Sequence, residues 1–503
     1  MAAVVALFAS WCVVTSGAGA ASPSRAASGA AGSARASRPP RARSFDRPRT
    51  LALDTLAAVQ KGAALDDVLR ADGVHNLAPK KRAFVRKLAT QTVRRLTQLD
   101  VILDSHGELP PSRRLRDLLR LGAAQLLLLE VPEYAAVSTT LALADGAGLG
   151  GYKGLINKRL RAVSEQRAAH ADRLADLTTV VPRWFVEQLR PIATDAQIAS
   201  VAAAMLVEPP LDLTLRVGDG ATAEASAWAR RLNGTLICGG TVRLPVDVRG
   251  DLESMAGFQD GEWWVQDVAA SMAVRAMSAA LELRGARVAD LCAAPGGKTL
   301  QLLARGARVS AVDRSATRLA LLEQNLARCA RAAAGEVEAV VKGDGAAWAL
   351  AQASAGARFD AVLVDAPCSG SGLIRRHPSC VLHERKDVEM RRLVRSQREL
   401  LAAAAALVRP GGVVVYATCS LLRAEGEAQV TKLLVEQEEA RAAGGAAGGV
   451  APVLERLPLS ATEVPAELRE AINAHGELRV LPSMCAELGG ADGFFVCRLR
   501  RTR

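Results

Sequence analysis

Aromatic residues are scarce in this chain: Trp, Tyr and Phe together make 3% of its 503 residues. A sandwich of aromatic-rich strands is poorly served by such a composition, which favours helix-rich and α/β domains. Cysteine is thinly spread as well. Nine thiols, an odd number, form no CxxC pair, which argues against a zinc site or a disulfide framework. No metal is therefore expected. The chain also lacks an apolar run long enough to span a bilayer, so no membrane partner is expected.

Acid is nearly missing from the first 50 residues, which hold seven arginines against the single carboxylate of Asp46. Val4 to Val14 is a short apolar run, and Ala18-Gly19-Ala20 resembles a signal-peptidase site. Ala21–Arg49 is rich in Ala, Ser, Arg and Pro, as transit peptides are. Residues 1–49 are accordingly expected to be a disordered targeting segment. A signal-like stretch followed by a transit-like one suits a plastid bounded by extra membranes. A plain plastid or mitochondrial transit peptide is the alternative. The leader holds about half of the net charge of +12. The rest stays basic, which favours a polyanionic partner such as nucleic acid.

Beyond the leader, apolar spacing changes character along the chain. Residues 50–180 read as a helical domain: Leu53, Leu56 and Ala57 recur at helical intervals, as do Leu115, Leu118 and Leu119. Basic residues cluster there at Lys80-Lys81-Arg82, Arg94-Arg95, Arg113-Arg114 and Lys153–Arg161. Residues 181–262 read as a small α+β connector, with Leu211–Val217 alternating like a strand. Residues 263–503 alternate strands and helices, the pattern of a parallel sheet wrapped by helices. Ala440–Gly449 reads as a Gly/Ala linker.

In this last region the strand ends attract interest. Arg287–Leu291 is a strand that runs into Cys292-Ala293-Ala294-Pro295-Gly296-Gly297-Lys298, then a helix. Such a small-residue turn lets a ligand approach the backbone and the helix N-terminus. The turn is neither GxGxxG nor a Walker loop. A second strand ends at Asp313, 23 residues after Asp290, where an acid accepts hydrogen bonds from ribose hydroxyls. A third leads to Asp344, which could meet an adenine amino group, and a fourth ends in Asp365. One isolated Asp is more often a helix cap, but four acids along one edge suggest an adenosine cofactor. Without a phosphate cradle, S-adenosylmethionine (SAM) is the expected one. Cys368 and Cys419 each follow an apolar run, about fifty residues apart. A thiol beside a methyl donor suits pyrimidine C5 methylation: thiolate addition at C6 makes carbon 5 nucleophilic. Asp365 is placed to stabilise that adduct at N3, and a base must then remove the C5 proton.

These motifs resemble the RsmB/Sun family of rRNA 5-cytosine methyltransferases, relatives of the NSUN enzymes. Residues 290–299 read DLCAAPGGKT, residues 365–378 read DAPCSGSGLIRRHP, and Tyr416–Ser420 reads YATCS, each similar to a motif of that family. Gln266-Asp267 and the DGFF of 492–495 are similar to two more. KGLINKRLR and VPRWFVEQL resemble its NusB-like N-terminal domain and the link that follows it. The resemblance implies a NusB-like all-α bundle, the connector, and a Rossmann-like SAM-dependent methyltransferase domain. By position it implies that the Cys292–Lys298 loop, Asp313, Asp344 and Asp365 hold SAM. It further implies Cys419 as nucleophile, Cys368 as the residue that assists product release, and Arg375 and Arg376 near RNA phosphate. The expected partner is small-subunit rRNA, and a monomer is expected.

Two departures touch the substrate side. Ser379-Cys380-Val381-Leu382 replaces the family's Asp-Ile-Lys-Trp, and Arg423-Ala424-Glu425-Gly426 replaces Pro-Glu-Glu-Asn. Two other readings compete: a non-catalytic RNA-binding assembly factor, and a DNA cytosine methyltransferase using the Pro367-Cys368 thiol. A chain lacking residues 1–45 is expected to bind SAM as tightly as the full chain by calorimetry. A truncated chain with no measurable SAM binding would overturn the targeting assignment.

Overall fold

The computed structural model describes residues 46–502 apart from 64, 218–221, 247–251, 331–332, 383, 386 and 443–451. The targeting segment thus lies outside the described residues up to residue 45. Its last residues are part of the fold. Asp46 caps a helix over Arg47–Val59, its carboxylate accepting from the Arg49 N–H.

Helices follow at Pro79–Arg94, Leu96–Asp104, Arg113–Leu127, Glu133–Gly146 and Lys153–Glu165. Arg113–Leu127 lies at the centre, in contact with the helices before and after it. Ser112 caps it, and Leu115, Leu118, Leu119 and Leu126 are buried along it. Its apolar repeat is what the sequence periodicity predicts. The basic clusters divide. Lys80, Lys81, Lys158 and Arg161 face solvent. Arg159 is buried and donates to the carbonyls of Leu103 and Gly107. Buried Arg94 reaches out of the bundle to the Arg375 carbonyl at 2.7 Å.

Helices continue through Arg183–Leu189 and Asp195–Leu206 before the connector sheet begins. That sheet comprises β1 (Leu211–Leu215), β2 (Thr235–Ile237), β3 (Thr241–Leu244) and β4 (Trp263–Val265), antiparallel in the order β2-β3-β1-β4. Helix Thr222–Arg231 packs Ala225 and Ala229 against Leu213, Val242 and Trp263.

The large sheet contains β5 (Arg287–Leu291), β6 (Arg308–Asp313), β7 (Glu336–Lys342), β8 (Phe359–Asp365), β9 (Val408–Thr418), β10 (Leu454–Arg456), β11 (Leu478–Val480) and β12 (Phe494–Arg501). β7-β6-β5-β8-β9 pair in parallel; β12 joins β9 antiparallel and carries β10 and β11. Central strands covered on both faces must be apolar throughout, and Val362, Leu363, Val364, Val413, Val414 and Val415 are all buried. The chain moves outward from β5 through β6 to β7, then returns to the other side of β5. That reversal opens a crevice beyond the C-terminal ends of β5 and β8. Helix Glu427–Ala442 takes in Ala440–Ala442 of the expected linker, whose remainder, 443–449, lies outside the described residues. No described helix is long and apolar enough to cross a membrane. Among the described residues no group of three or more His, Cys, Asp or Glu is arranged to hold a metal ion.

A buried clamp fastens the connector to the large sheet. Arg376 reaches Asp492 at 2.6 Å and Asp267 at 2.8 Å, and Arg375 reaches the same pair at 3.1 and 3.3 Å. Arg375 also donates to the Gly489 carbonyl at 2.6 Å, and Arg376 to that of Pro210 at 3.2 Å. Beside them Arg243 grips Asp212 at 2.7 and 2.8 Å. This corrects the expectation that Arg375 and Arg376 lie near RNA phosphate. Their side chains are 2% and 8% exposed, and two adjacent cations removed from water need the two carboxylates that hold them.

Burial alone would raise the Asp267 carboxyl, but Arg376, Arg375 and the Asp492 N–H outweigh it and hold it at about 2. The folded value lies below the ~3.9 of an unfolded Asp, so the stabilisation is complete above about pH 4 and lost as pH falls towards about 2. Asp267→Asn is expected to destabilise the chain by about 3–5 kcal/mol in urea unfolding at neutral pH. Its stability should also fall less steeply in acid. A variant as stable as wild type would show that the clamp contributes nothing.

Candidate active site

The turn after β5 is held from below by β6. Cys292 takes φ +67°, and Gly296 takes φ +110° in front of helix Gly297–Ala304. That φ favours glycine whatever the space around it, and a Cβ on Gly296 would also lie 2.5 Å from Leu322 Cδ1. Ala293 N–H donates to the Val312 carbonyl at 3.0 Å. Asp313 accepts from Ala294 N–H at 3.2 Å and Ser315 N–H at 2.9 Å. Arg318 and Asn325 bind the carbonyls of Ala294 and Pro295. The acid at the end of β6 therefore shapes the turn as well as facing its edge.

The four acids differ in environment. Asp290 is buried, with Thr299 Oγ1 donating to Oδ2 at 2.6 Å and no hydrogen-bond partner for Oδ1 among the described residues. Burial raises its carboxyl to about 7, against the hydrogen bond from Thr299. Asp365 lies 2.7 Å from Lys298 Nζ, which is buried and sits 5.1 Å from the centre of the Phe494 ring. Asp344 is exposed and caps helix Gly345–Ser354 through Ala347 N–H at 3.0 Å. Burial, with Asp313 and Asp365 nearby, pushes the Cys292 thiol up. Beside the turn lies a small cleft of about 50 Å³, lined by Trp264, Gln266, Pro295, Leu373, Arg376 and Phe494 among others.

Cys419 directly follows β9, and Cys368 lies three residues beyond β8. The parallel register pairs Asp365 with Ala417, so the two loops leave the sheet side by side. Ala366 N–H binds the Ala417 carbonyl at 2.9 Å, and Gly372 N–H binds that of Cys419 at 3.0 Å. The two sulfurs are 3.3 Å apart, and both residues are buried. Gly372 also accepts from Gly493 N–H at 2.8 Å, which joins the Cys368 loop to the start of β12.

The sequence reading passed over Glu425. It is fully buried and accepts from Ser369 N–H at 2.9 Å, Gln397 Nε2 at 3.0 Å and Ser420 Oγ at 2.5 Å. Burial raises its carboxyl, and the hydrogen bonds from Ser369, Ser420 and Gln397 oppose that rise. The available signal was that, of the four residues set against the family's Pro-Glu-Glu-Asn, Glu425 is the one this chain keeps. Asp267 and Asp492 stood in quoted motifs without a role; the structure makes them the anions of the clamp.

The donor set suits an adenosyl ligand. Acids stand at the ends of four parallel strands around a turn built largely of Ala and Gly, at a topological switch point. Fold and site together define a Rossmann-like methyltransferase. Comparison with known proteins narrows this. Residues 279–500 match the family described as 16S rRNA methyltransferase RsmB/F, and residues 46–165 match the NusB family. Ribosomal RNA small subunit methyltransferase B of Xanthomonas campestris is 33% identical over 410 residues, covering 79% of this chain and 86% of that protein. The protein of the same name from Xylella fastidiosa is 34% identical over 405 residues, covering 78% and 89%. Among solved structures, PH0851 superposes with a TM-score of 0.64 at 18% identity, over 90% of this chain and 98% of that one, a likeness of fold. The chain belongs to the RsmB/Sun family of small-subunit rRNA methyltransferases, which are SAM-dependent.

Asp313→Ala is expected to weaken SAM binding by about 1–3 kcal/mol, the scale of a hydrogen bond to a charged group together with the turn it braces. Calorimetry with unchanged affinity would remove Asp313 from the cofactor site.

Proposed function

We propose that the chain methylates carbon 5 of a cytosine in small-subunit rRNA through a covalent bond between Cys419 Sγ and C6 of the base. The observation that carries this reading is the pair of thiols 3.3 Å apart at adjacent strand ends, beside an acid at the cofactor edge. Thiolate attack by Cys419 at C6 turns the 5,6 double bond into a single bond and makes C5 nucleophilic. Asp365 passes a proton to N3 as negative charge develops there and takes it back when the adduct breaks down, and Lys298 at 2.7 Å orients that carboxyl. SAM, when bound, supplies the electrophilic methyl group. The turn Cys292–Lys298 with Asp313 and Asp344 would hold it, Asp365 closing the far side. Cys368 then takes the proton from C5, and the Cys419–C6 bond breaks to restore the aromatic ring.

The exposed Lys80, Lys81, Lys158 and Arg161 of the helical domain support contact with RNA phosphate. The composition of residues 1–49 supports action in a plastid, with the mitochondrion as the alternative.

Cys419→Ala should abolish cytosine methylation while SAM still binds. Cys368→Ala should complete the first half-reaction and stall, leaving a covalent RNA complex visible as a slow band on a denaturing gel. The band should vanish in the Cys368→Ala/Cys419→Ala double variant. A trapped band with Cys419→Ala and none with Cys368→Ala would reverse the two roles. Wild-type enzyme that leaves every cytosine of the rRNA unmodified by bisulfite sequencing would overturn the reading.

A further inference from the structure

The two thiol-bearing loops share no covalent link, yet their sulfurs approach to 3.3 Å. Main-chain bonds align the strands behind them. Ahead of the sheet the loops are tied by a buried polar group. Glu425 Oε1 accepts from the N–H of Ser369, the residue after Cys368. Its Oε2 accepts from the hydroxyl of Ser420, the residue after Cys419. Gln397 Nε2, on helix Asp387–Leu407, donates both to Glu425 Oε1 at 3.0 Å and to the Pro367 carbonyl at 2.9 Å. The hydroxyls of Ser369, Ser371 and Ser420 stand 3.1 to 3.2 Å from one another. Tyr416, on β9, fixes the main chain of Glu425 by donating to its carbonyl at 2.7 Å.

We propose that Glu425 is a positioning residue for the methyl-transfer reaction: its carboxylate ties the Cys368 loop to the Cys419 loop and sets the separation of the two thiols. This rests on the cytosine-C5 reading above. The argument is one of donors and acceptors. Ser369 N–H and the Ser420 hydroxyl approach different oxygens of one carboxylate, which accepts from both loops at once. Glutamine at this position keeps the size but turns an amide N–H₂ towards Ser420, whose hydroxyl would have to accept in place of donating although it already accepts from Leu422 N–H at 3.0 Å. The charge-assisted tie to the Cys419 loop is then lost, and a displacement of about 1 Å at reacting groups costs on the order of a hundredfold in rate.

The test compares wild type with Glu425→Gln by two readouts. The first is turnover on rRNA, with kcat expected to fall tenfold or more while the KM for RNA and SAM affinity stay within twofold. A general loosening of the fold would weaken SAM binding too, and that pattern would overturn the proposal. The second reads thiol spacing without catalysis. Diamide oxidises two thiols to a disulfide, taking up both electrons and both protons as it becomes the hydrazine. Mass spectrometry then follows the joining of the Cys368 and Cys419 peptides, with Cys419→Ala as the blank. Linkage should form in wild type and at least threefold more slowly in Glu425→Gln. Turnover and linkage rates within twofold of wild type overturn the proposal. If Glu425→Gln does not fold, Ser420→Ala, which removes one of the two ties, is read in the same way with the same limits. A wild-type enzyme that links its thiols but methylates no cytosine overturns the proposed function alone, because the linkage rate still reads the spacing.

Discussion

The parallel pairing of β8 with β9 is the constraint on which the rest of the site depends. Side-chain direction alternates along a strand, so a slip of one residue would turn every side chain to the other face. With Asp365 opposite Ala417, the chain delivers one thiol directly after β9 and the other three residues beyond β8. The apolar faces enforce that register, since Val362, Val364, Val414 and Tyr416 share one core with Phe495 while Leu363, Val413 and Val415 belong to another. Chemistry at the rim thus inherits its precision from ordinary packing beneath it.

Charge has a different task here. Arg375, Arg376, Arg243, Asp212, Asp267 and Asp492 bring connector, sheet and terminal strand together, largely buried, at the edge of the cleft. Such a cluster adds little net stability over apolar residues of similar volume, but breaking one member is costly. It therefore acts as a fastener with a defined geometry. Arg94 carries the same connection to the helical bundle through the Arg375 carbonyl. The domain with exposed lysines is thereby fixed relative to the domain with the thiols.

Much of this was legible in the sequence, for identifiable reasons. The strands of the large sheet stand out because burial on both faces forces continuous apolar runs, as in Ala361–Val364. The central helix of the bundle shows its repeat at Leu115, Leu118 and Leu119. Strand-end acids and thiols are visible because each ends such a run. The roles of Arg375 and Arg376 were not legible, because their anions lie 108 to 117 residues away along the chain. An arginine among polar motif residues looks the same whether it meets phosphate or a buried carboxylate. Glu425 was hidden for a related reason: its importance comes from three donors contributed by separate segments. Asp344 shows the local alternative, where a strand-end acid also serves the helix that follows it.

The crossing of Gly372 and Gly493 bears on how this chain can vary. A Cβ on Gly372 would fall 2.0 Å from the Gly493 carbonyl oxygen, and one on Gly493 would fall 2.7 Å from Gly372 Cα. No side chain of any size can enter between the Cys368 loop and the last strand. Mutation therefore has no small step available at this junction. In this chain a new nucleotide preference would have to be built elsewhere, with both glycines kept.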